Sequence, residues 1–173
     1  MRTAMTPRGR PVWRPMTEAD FPVVDAIGAA VHRAFPESPA IVAERLALYP
    51  AGCLVLSSDG GVIGYAVSHP WRLGYPPKLN TKLVRLPAEP DTYYIHDMAL
   101  LPEARGAGAG AAGVRCLIRH ARREGLGTLS LVAVSGSAPF WTRQGFRVQT
   151  DPGILQRLRS YGNEARFMVR SPV

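Results

Sequence analysis

Between Ile95 and Gly110 the chain reads Ile-His-Asp-Met-Ala-Leu-Leu-Pro-Glu-Ala-Arg-Gly-Ala-Gly-Ala-Gly, and this stretch constrains the fold more than any other. Apolar residues from Tyr93 to Leu101 predict a strand, and Pro102 ends it. Gly106, Gly108, Gly110 and Gly113 then strip side chains from the backbone. A helix follows. Val114, Leu117, Ile118 and Ala121 recur at i, i+3, i+4 and i+7, while Arg115, Arg119, Arg122 and Arg123 take the solvated face. Gly125 supplies its C-terminal stop, and the late arginines suit the negative end of the helix dipole. A strand, a glycine loop and a helix in this order expose unpaired N–H groups where the helix is partially positive. That is a site for phosphate oxygens.

Three phosphate-binding patterns compete for the loop. A P-loop needs Gly-Lys-Ser/Thr, but Ala111 and Ala112 follow Gly110. A dinucleotide fingerprint is formally present in Gly108-Ala-Gly110-Ala-Ala-Gly113, yet it wants an acidic residue about 20 positions on. The stretch from Thr128 to Val134 has none, and too little chain follows for two mononucleotide-binding halves. The third pattern is Arg/Gln-x-x-Gly-x-Gly/Ala, and Arg105-Gly-Ala-Gly108-Ala-Gly110 fits it. Three further features accompany it in order: Met98-Ala-Leu-Leu-Pro102 before the loop, a strand over Thr128–Val134, and Phe140-Trp-Thr-Arg-Gln-Gly145-Phe146 after it.

On these residues the stretch from Tyr93 to Arg147 resembles the GCN5-related N-acetyltransferase family. The resemblance implies an α/β fold of the mixed α+β kind. A twisted mixed β-sheet is flanked by helices and splayed between the strands ending at Leu101 and Val134. It implies direct acetyl transfer from acetyl-coenzyme A to a primary amine in a ternary complex. The pyrophosphate would lie on the backbone of Arg105, Gly106, Ala107, Gly108, Ala109 and Gly110. A backbone N–H of Met98, Ala99 or Leu100, freed by a bulge, would meet the oxyanion. An oriented donor of this sort is worth about 2.7–4 kcal/mol in the transition state.

The base is read from the same strand. Alternation puts Tyr94, His96, Met98 and Leu100 on one face and Asp97 on the other, unless a bulge resets the order. A local resemblance to serotonin (arylalkylamine) N-acetyltransferase implies proton transfer at His96 and Tyr94. Histidine ordinarily titrates near 6.5 and can take a proton at neutral pH. A core histidine bonded to Asp97, Tyr93 or a backbone group is the structural alternative, with Asp97 or a water-mediated path taking the proton. The chain departs from the family at two places. Trp141 stands where a thiolate-protonating Tyr is usual, and an indole does not give up its proton near neutrality. Val134 replaces the usual Asn, so contacts to the cofactor arm fall to Ser135-Gly136-Ser137, with Phe140 and Trp141 packing against it. Trp141 also suggests a rival, an acyl-coenzyme A-binding module without chemistry. Protein or peptide acetylation is a third reading.

Composition bounds the rest. The 173 residues make one domain, with residues 1–10 expected as a loose tail. No apolar run marks a signal peptide or membrane span, which predicts a cytoplasmic protein. Cys53 and Cys116 show no metal or redox spacing, so no metal is expected. Nineteen arginines against two lysines suggest a bacterial source. The net charge of +8 is spread along the chain without interleaved aromatics. It therefore predicts a polyanionic cofactor rather than nucleic acid. Expected partners are a small-molecule amine and, at most, a second copy in a homodimer.

Along the remaining chain, Val12–Arg14 predicts a first strand. Thr17 and Asp20 open a helix to about Ala34, with Phe21, Val24, Ile27, Ala30 and Val31 inward. A second helix spans Ala40–Leu48. Strands at Cys53–Ser57 and Val62–His69 flank the turn at Asp59-Gly60-Gly61. Residues 70–91 are proline-rich without period and are expected as a flap beside the substrate cavity. The last strand covers Ala165–Arg170, and residues 148–163 carry no clear signal.

Overall fold

A computed structural model describes residues 9–172. Most of the tail expected over residues 1–10 lies outside them; Gly9 is described, and its N–H donates to Asp59. Seven strands form one sheet: β1 (Val12–Pro15), β2 (Cys53–Ser58), β3 (Gly61–Trp71), β4 (Thr92–Leu100), β5 (Leu129–Ala133), β6 (Arg147–Gln149) and β7 (Arg166–Arg170). Their order is β1-β2-β3-β4-β5-β7-β6. All neighbours are antiparallel except β4 and β5. A parallel pair needs a crossover, and α3 (Ala109–Arg123) provides it.

Helices cover both faces. On one, Val114, Leu117, Ile118 and Ala121 of α3 pack against Tyr93, Ile95, Leu129 and Leu131. On the other, Val24 and Ile27 of α1 (Phe21–Val31) pack against Val55, Tyr65, Val67 and Ala99. Of the residues expected inward on α1, Ala30 is exposed. Gly113 packs where no other residue fits, because a Cβ there would meet Trp13 at 2.7 Å. The third glycine of the formal dinucleotide pattern is thus a packing glycine.

Two departures from the sequence reading bear on the site. The first long helix is shorter than the pattern predicts. Thr17 and Asp20 do form a capping box, but it opens a short 3-10 turn at Glu18–Asp20. The helix then ends at Val31, because His32 leaves the helical region at φ −110° and ψ 50°. Phe35, ahead of Pro36, is in any case biased away from helix. The second departure is residues 148–163, which hold β6, α5 (Pro152–Arg157) and a 3-10 turn at Arg159–Tyr161. The local signal for α5 is Asp151-Pro152, with Asp151 accepting from the N–H of Gly153 at 2.9 Å.

Residues 72–91 form neither helix nor strand. Side chains hold them instead. Glu44, on α2 (Pro39–Leu48), accepts from the N–H groups of Leu83 and Val84, and Tyr161 donates to the carbonyl of Pro77. Leu79 reaches the central cavity, so the loop forms part of its wall.

Candidate functional site

The sheet opens between β4 and β5. β4 and β5 pair over Tyr93–Ile95 and Leu129–Leu131 and then part, although both strands continue. At the same place β4 carries a bulge: Val67 faces Asp97 and Ser68 faces Ile95, which leaves His96 as the extra residue. Leu101 N–H donates to Ile63 of β3. Alternation back from that bond turns the N–H and C=O groups of Met98 and Leu100 away from β3, into the opening. Arg105 Nε takes the Leu100 carbonyl at 3.0 Å.

The glycine loop borders this gap. Gly106 and Gly108 have φ of +82° and +78°, a left-handed conformation that favours glycine. A Cβ on either would meet nothing within 4 Å, so the space beside the backbone is open. The first helical bond of α3 runs from Ala112 N to Gly108 O. The N–H groups of Ala109, Gly110 and Ala111 thus lack intrahelical acceptors. Gly110 serves packing as well, since a Cβ there would crowd Phe140 at 3.2 Å. Ala107 and Ala109 do not line the cavity, in contrast to Gly106, Gly108, Gly110 and Ser137. Phe140 and Trp141, on α4 (Ala138–Arg143), border it too; Trp141 is 7% exposed and packs edge-on against Phe146.

The bulge resets the strand order, as the resemblance allowed. His96 and Asp97 lie on the same side, toward α1 and α2, because the extra residue cancels one alternation. Met98 and Leu100 turn to the other side, against the α3 core. Ala99 falls on the α1 side, and its N–H faces β3, which removes it from the expected cofactor contacts. Tyr94 is also corrected. It is 1% exposed, stacks near His69 and does not itself line the cavity.

Two carboxylate–imidazole pairs form instead, with partners far apart in sequence. His32 Nε2–H donates to Asp97 Oδ1 at 2.7 Å, and the Tyr65 phenol donates to Asp97 Oδ2. His96 Nε2–H donates to Glu37 Oε1 at 2.9 Å, while Asn80 N–H donates to Glu37 Oε2 at 2.9 Å. Burial would lower the His32 pKa, but the hydrogen bond and charge of Asp97 outweigh it and raise it above the usual 6.5. Burial would likewise raise Asp97 and Glu37. Bonds to His32 and His96 respectively prevail, and both carboxyls stay below their ordinary values. Asp97 and Glu37 are therefore charged at neutral pH.

The pairs differ in access. The His32 and Glu37 side chains are each 18% exposed, whereas His96 is 2% exposed and walled in beside Glu37. The Nδ1 atoms of both histidines are buried without a protein partner. All four residues line one cavity of about 990 Å³, together with the glycine loop. His32, Glu37 and Tyr65 escape sequence reasoning, because no motif or periodicity singles them out.

The profile of the acetyltransferase (GNAT) family matches residues 17–146. Among solved structures, the chain is similar to Ard1 from Thermoplasma volcanium at 15% identity and a TM-score of 0.71, covering 95% of this chain and 99% of that one. It is similar to N-acetylglutamate synthase from Neisseria gonorrhoeae, complexed with coenzyme A and N-acetyl-glutamate, at 19% identity and a TM-score of 0.73, covering 95% of this chain and 36% of that one. It is also similar to the ribosomal-protein-S18-alanine N-acetyltransferase from Escherichia coli at 17% identity and a TM-score of 0.65, covering 94% of each chain. At such identities the likeness is one of fold. No curated protein matches the sequence significantly. No helix among the described residues is long and apolar enough to cross a membrane.

Proposed function

We propose that this chain, which belongs to the acetyltransferase (GNAT) family, moves an acetyl group from acetyl-coenzyme A directly to a primary amine of a small molecule. The observation that carries the reading is the gap between β4 and β5. Unpaired strand backbone and a glycine loop border one side of it, and two carboxylate–imidazole pairs border the other.

Acetyl-coenzyme A supplies an activated thioester. The open cradle at Gly106–Gly110 and the free N–H groups at the start of α3 suit its pyrophosphate. The Met98 and Leu100 backbone offers an added strand's hydrogen bonds to its arm, and one of these N–H groups serves the developing oxyanion. Ser135 and Ser137 line the cavity near α4 and offer hydroxyls to the departing sulfur. Trp141 packs and does not act as an acid.

At the acceptor side, charged Glu37 and Asp97 draw in the ammonium form of the amine. The amine loses its proton to the His32–Asp97 pair, in which Asp97 holds the Nε2–H of neutral His32 and the buried Nδ1 has no protein partner. The amine nitrogen then bonds to the acetyl carbon and the carbon–sulfur bond breaks. His96 is a positioning residue: it orients Glu37 and touches no reactant. A cavity of about 990 Å³ walled by Leu79 and Tyr161 suits a cofactor arm and a compact acceptor. An assay of small amines and of N-terminal peptides, read by release of free thiol, tests the reading. Turnover of small amines is expected; turnover of peptides alone would overturn the small-molecule acceptor.

A further inference from the structure

Asp97 is held from two sides. His32 Nε2–H donates to one carboxylate oxygen and the Tyr65 phenol to the other, and among the described residues Tyr65 alone bonds that second oxygen. The register of the bulge makes this meeting possible. Tyr65 pairs with Ala99 across β3 and β4, while Val67 pairs with Asp97. Tyr65 is therefore the diagonal neighbour of Asp97, within reach of a long aromatic side chain once both face α1. The helix leaves room for the phenol: a Cβ at Gly28, inside α1, would stand 3.0 Å from its hydroxyl. Glycine is otherwise unfavourable in a helix interior.

Tyr65 is 2% exposed and keeps its proton, because burial and then the Asp97 charge push its pKa well above the ordinary value. It can only donate. We propose that Tyr65 is a positioning residue for the proton transfer: it fixes the Asp97 carboxylate against His32 and takes up part of its charge, and so sets the pH below which transfer stops. The inference rests on the acetyl-transfer reading above. When the amine gives up its proton the pair gains it: His32 becomes imidazolium, Asp97 stays a carboxylate and Tyr65 keeps its own proton. Burial lowers the pKa of the imidazole, Asp97 and then Glu37 raise it, and Arg105 lowers it. Burial raises the Asp97 carboxyl, whereas His32, His96 and Tyr65 lower it. Glu37 and Asp25 act on the phenol itself. Without the phenol's bond Asp97 is a stronger partner for an imidazolium, so His32 stays protonated to higher pH.

The test is Tyr65→Phe, which keeps the ring and removes only the hydroxyl. The acidic limb of kcat/KM for a small amine should move up by about one pH unit, an ordinary size for the effect of a neighbouring group. On that limb the rate should fall about tenfold, and on the alkaline plateau by less. Histidine NMR titration of the coenzyme A complex gives a second readout that needs no turnover, with the His32 signal assigned by its loss in His32→Gln. Its midpoint should move up with the limb. A loss of rate that is equal at every pH, with the midpoint unmoved, makes Tyr65 merely structural and overturns the proposal while amine acetylation stands. Full activity with an unmoved limb overturns it as well. A moved midpoint in a protein that acetylates no amine keeps Tyr65's hold on the pair and overturns acetyl transfer instead. An unmoved midpoint without acetylation overturns both.

Discussion

The two sides of the β4–β5 gap are built from different material. On the glycine side, the groups aimed at the opening are backbone. Met98 offers its strand N–H and C=O and Leu100 its N–H, and Ala109 to Ala111 offer the free donors of a helix start. All lie within one short stretch of chain. On the acid side the groups are side chains, brought from α1, from the turn before α2, from β3 and from the bulge. His32 meets Asp97 across 65 positions, and His96 meets Glu37 across 59. A backbone site tolerates most side-chain changes that keep φ and ψ. A side-chain site fails when one member is lost, because its buried partner is then left unsatisfied.

Removing the imidazole on the acid side should give the largest effect. His32→Gln should lower kcat by about 10²–10⁴-fold, the usual worth of a general base. The pH profile sharpens the point. Transfer needs neutral His32, and its pKa lies above 6.5. The rate should therefore fall as pH drops through that raised value, at a higher pH than an ordinary histidine gives. This acidic limb should vanish in the variant. His96→Gln, by contrast, should act mainly on KM, by about tenfold, because it only orients Glu37. Similar kcat losses in the two variants would erase the distinction between a reacting and a positioning histidine.

On the glycine side, Gly108→Glu should weaken coenzyme A binding about 100-fold by calorimetry, a loss of about 2.7 kcal/mol. Open space at this Cβ admits the side chain, so the effect comes from a carboxylate in the phosphate cradle and from the left-handed φ of +78°. Unchanged affinity would move the pyrophosphate elsewhere.

A smaller effect is expected at Trp141, which borders the gap but is largely core. Trp141→Phe should keep turnover within about threefold and lower stability by about 1–2 kcal/mol, read by denaturant unfolding. A loss of several orders in kcat with unchanged KM would show the indole N–H acting in the transition state.

The smallest effect lies remote from the gap and serves as its control. Asp20 is held at about 2 by its bidentate bond to Arg14, against an ordinary 3.8. A depressed carboxyl stabilises the fold above 3.8 and loses that contribution as pH falls toward 2. Asp20→Asn should thus lower Tm by a few degrees at neutral pH, and the difference should shrink through that window, with kcat/KM unmoved.

Much was legible in the chain without coordinates. The period of α3, the strand before it and the glycine loop between them are local features, so each could be read from neighbours a few positions apart. The order of loop, strand and Gly145-Phe146 segment carried the family, and the family carried the architecture. The helix start at Asp151-Pro152 is equally local. The tertiary structure decided the rest. One extra residue at His96 moved Asp97 onto the α1 side and Met98 onto the α3 side; the resemblance implied a bulge on this strand, but its position depends on the register of β3. The early end of α1 placed His32 and Glu37 at the opening, although neither is near the glycine motif in sequence. Side chains that meet only through the sheet leave no periodic trace. The backbone cradle was therefore written in the sequence, whereas the acid–base wall arose only when three distant segments packed together.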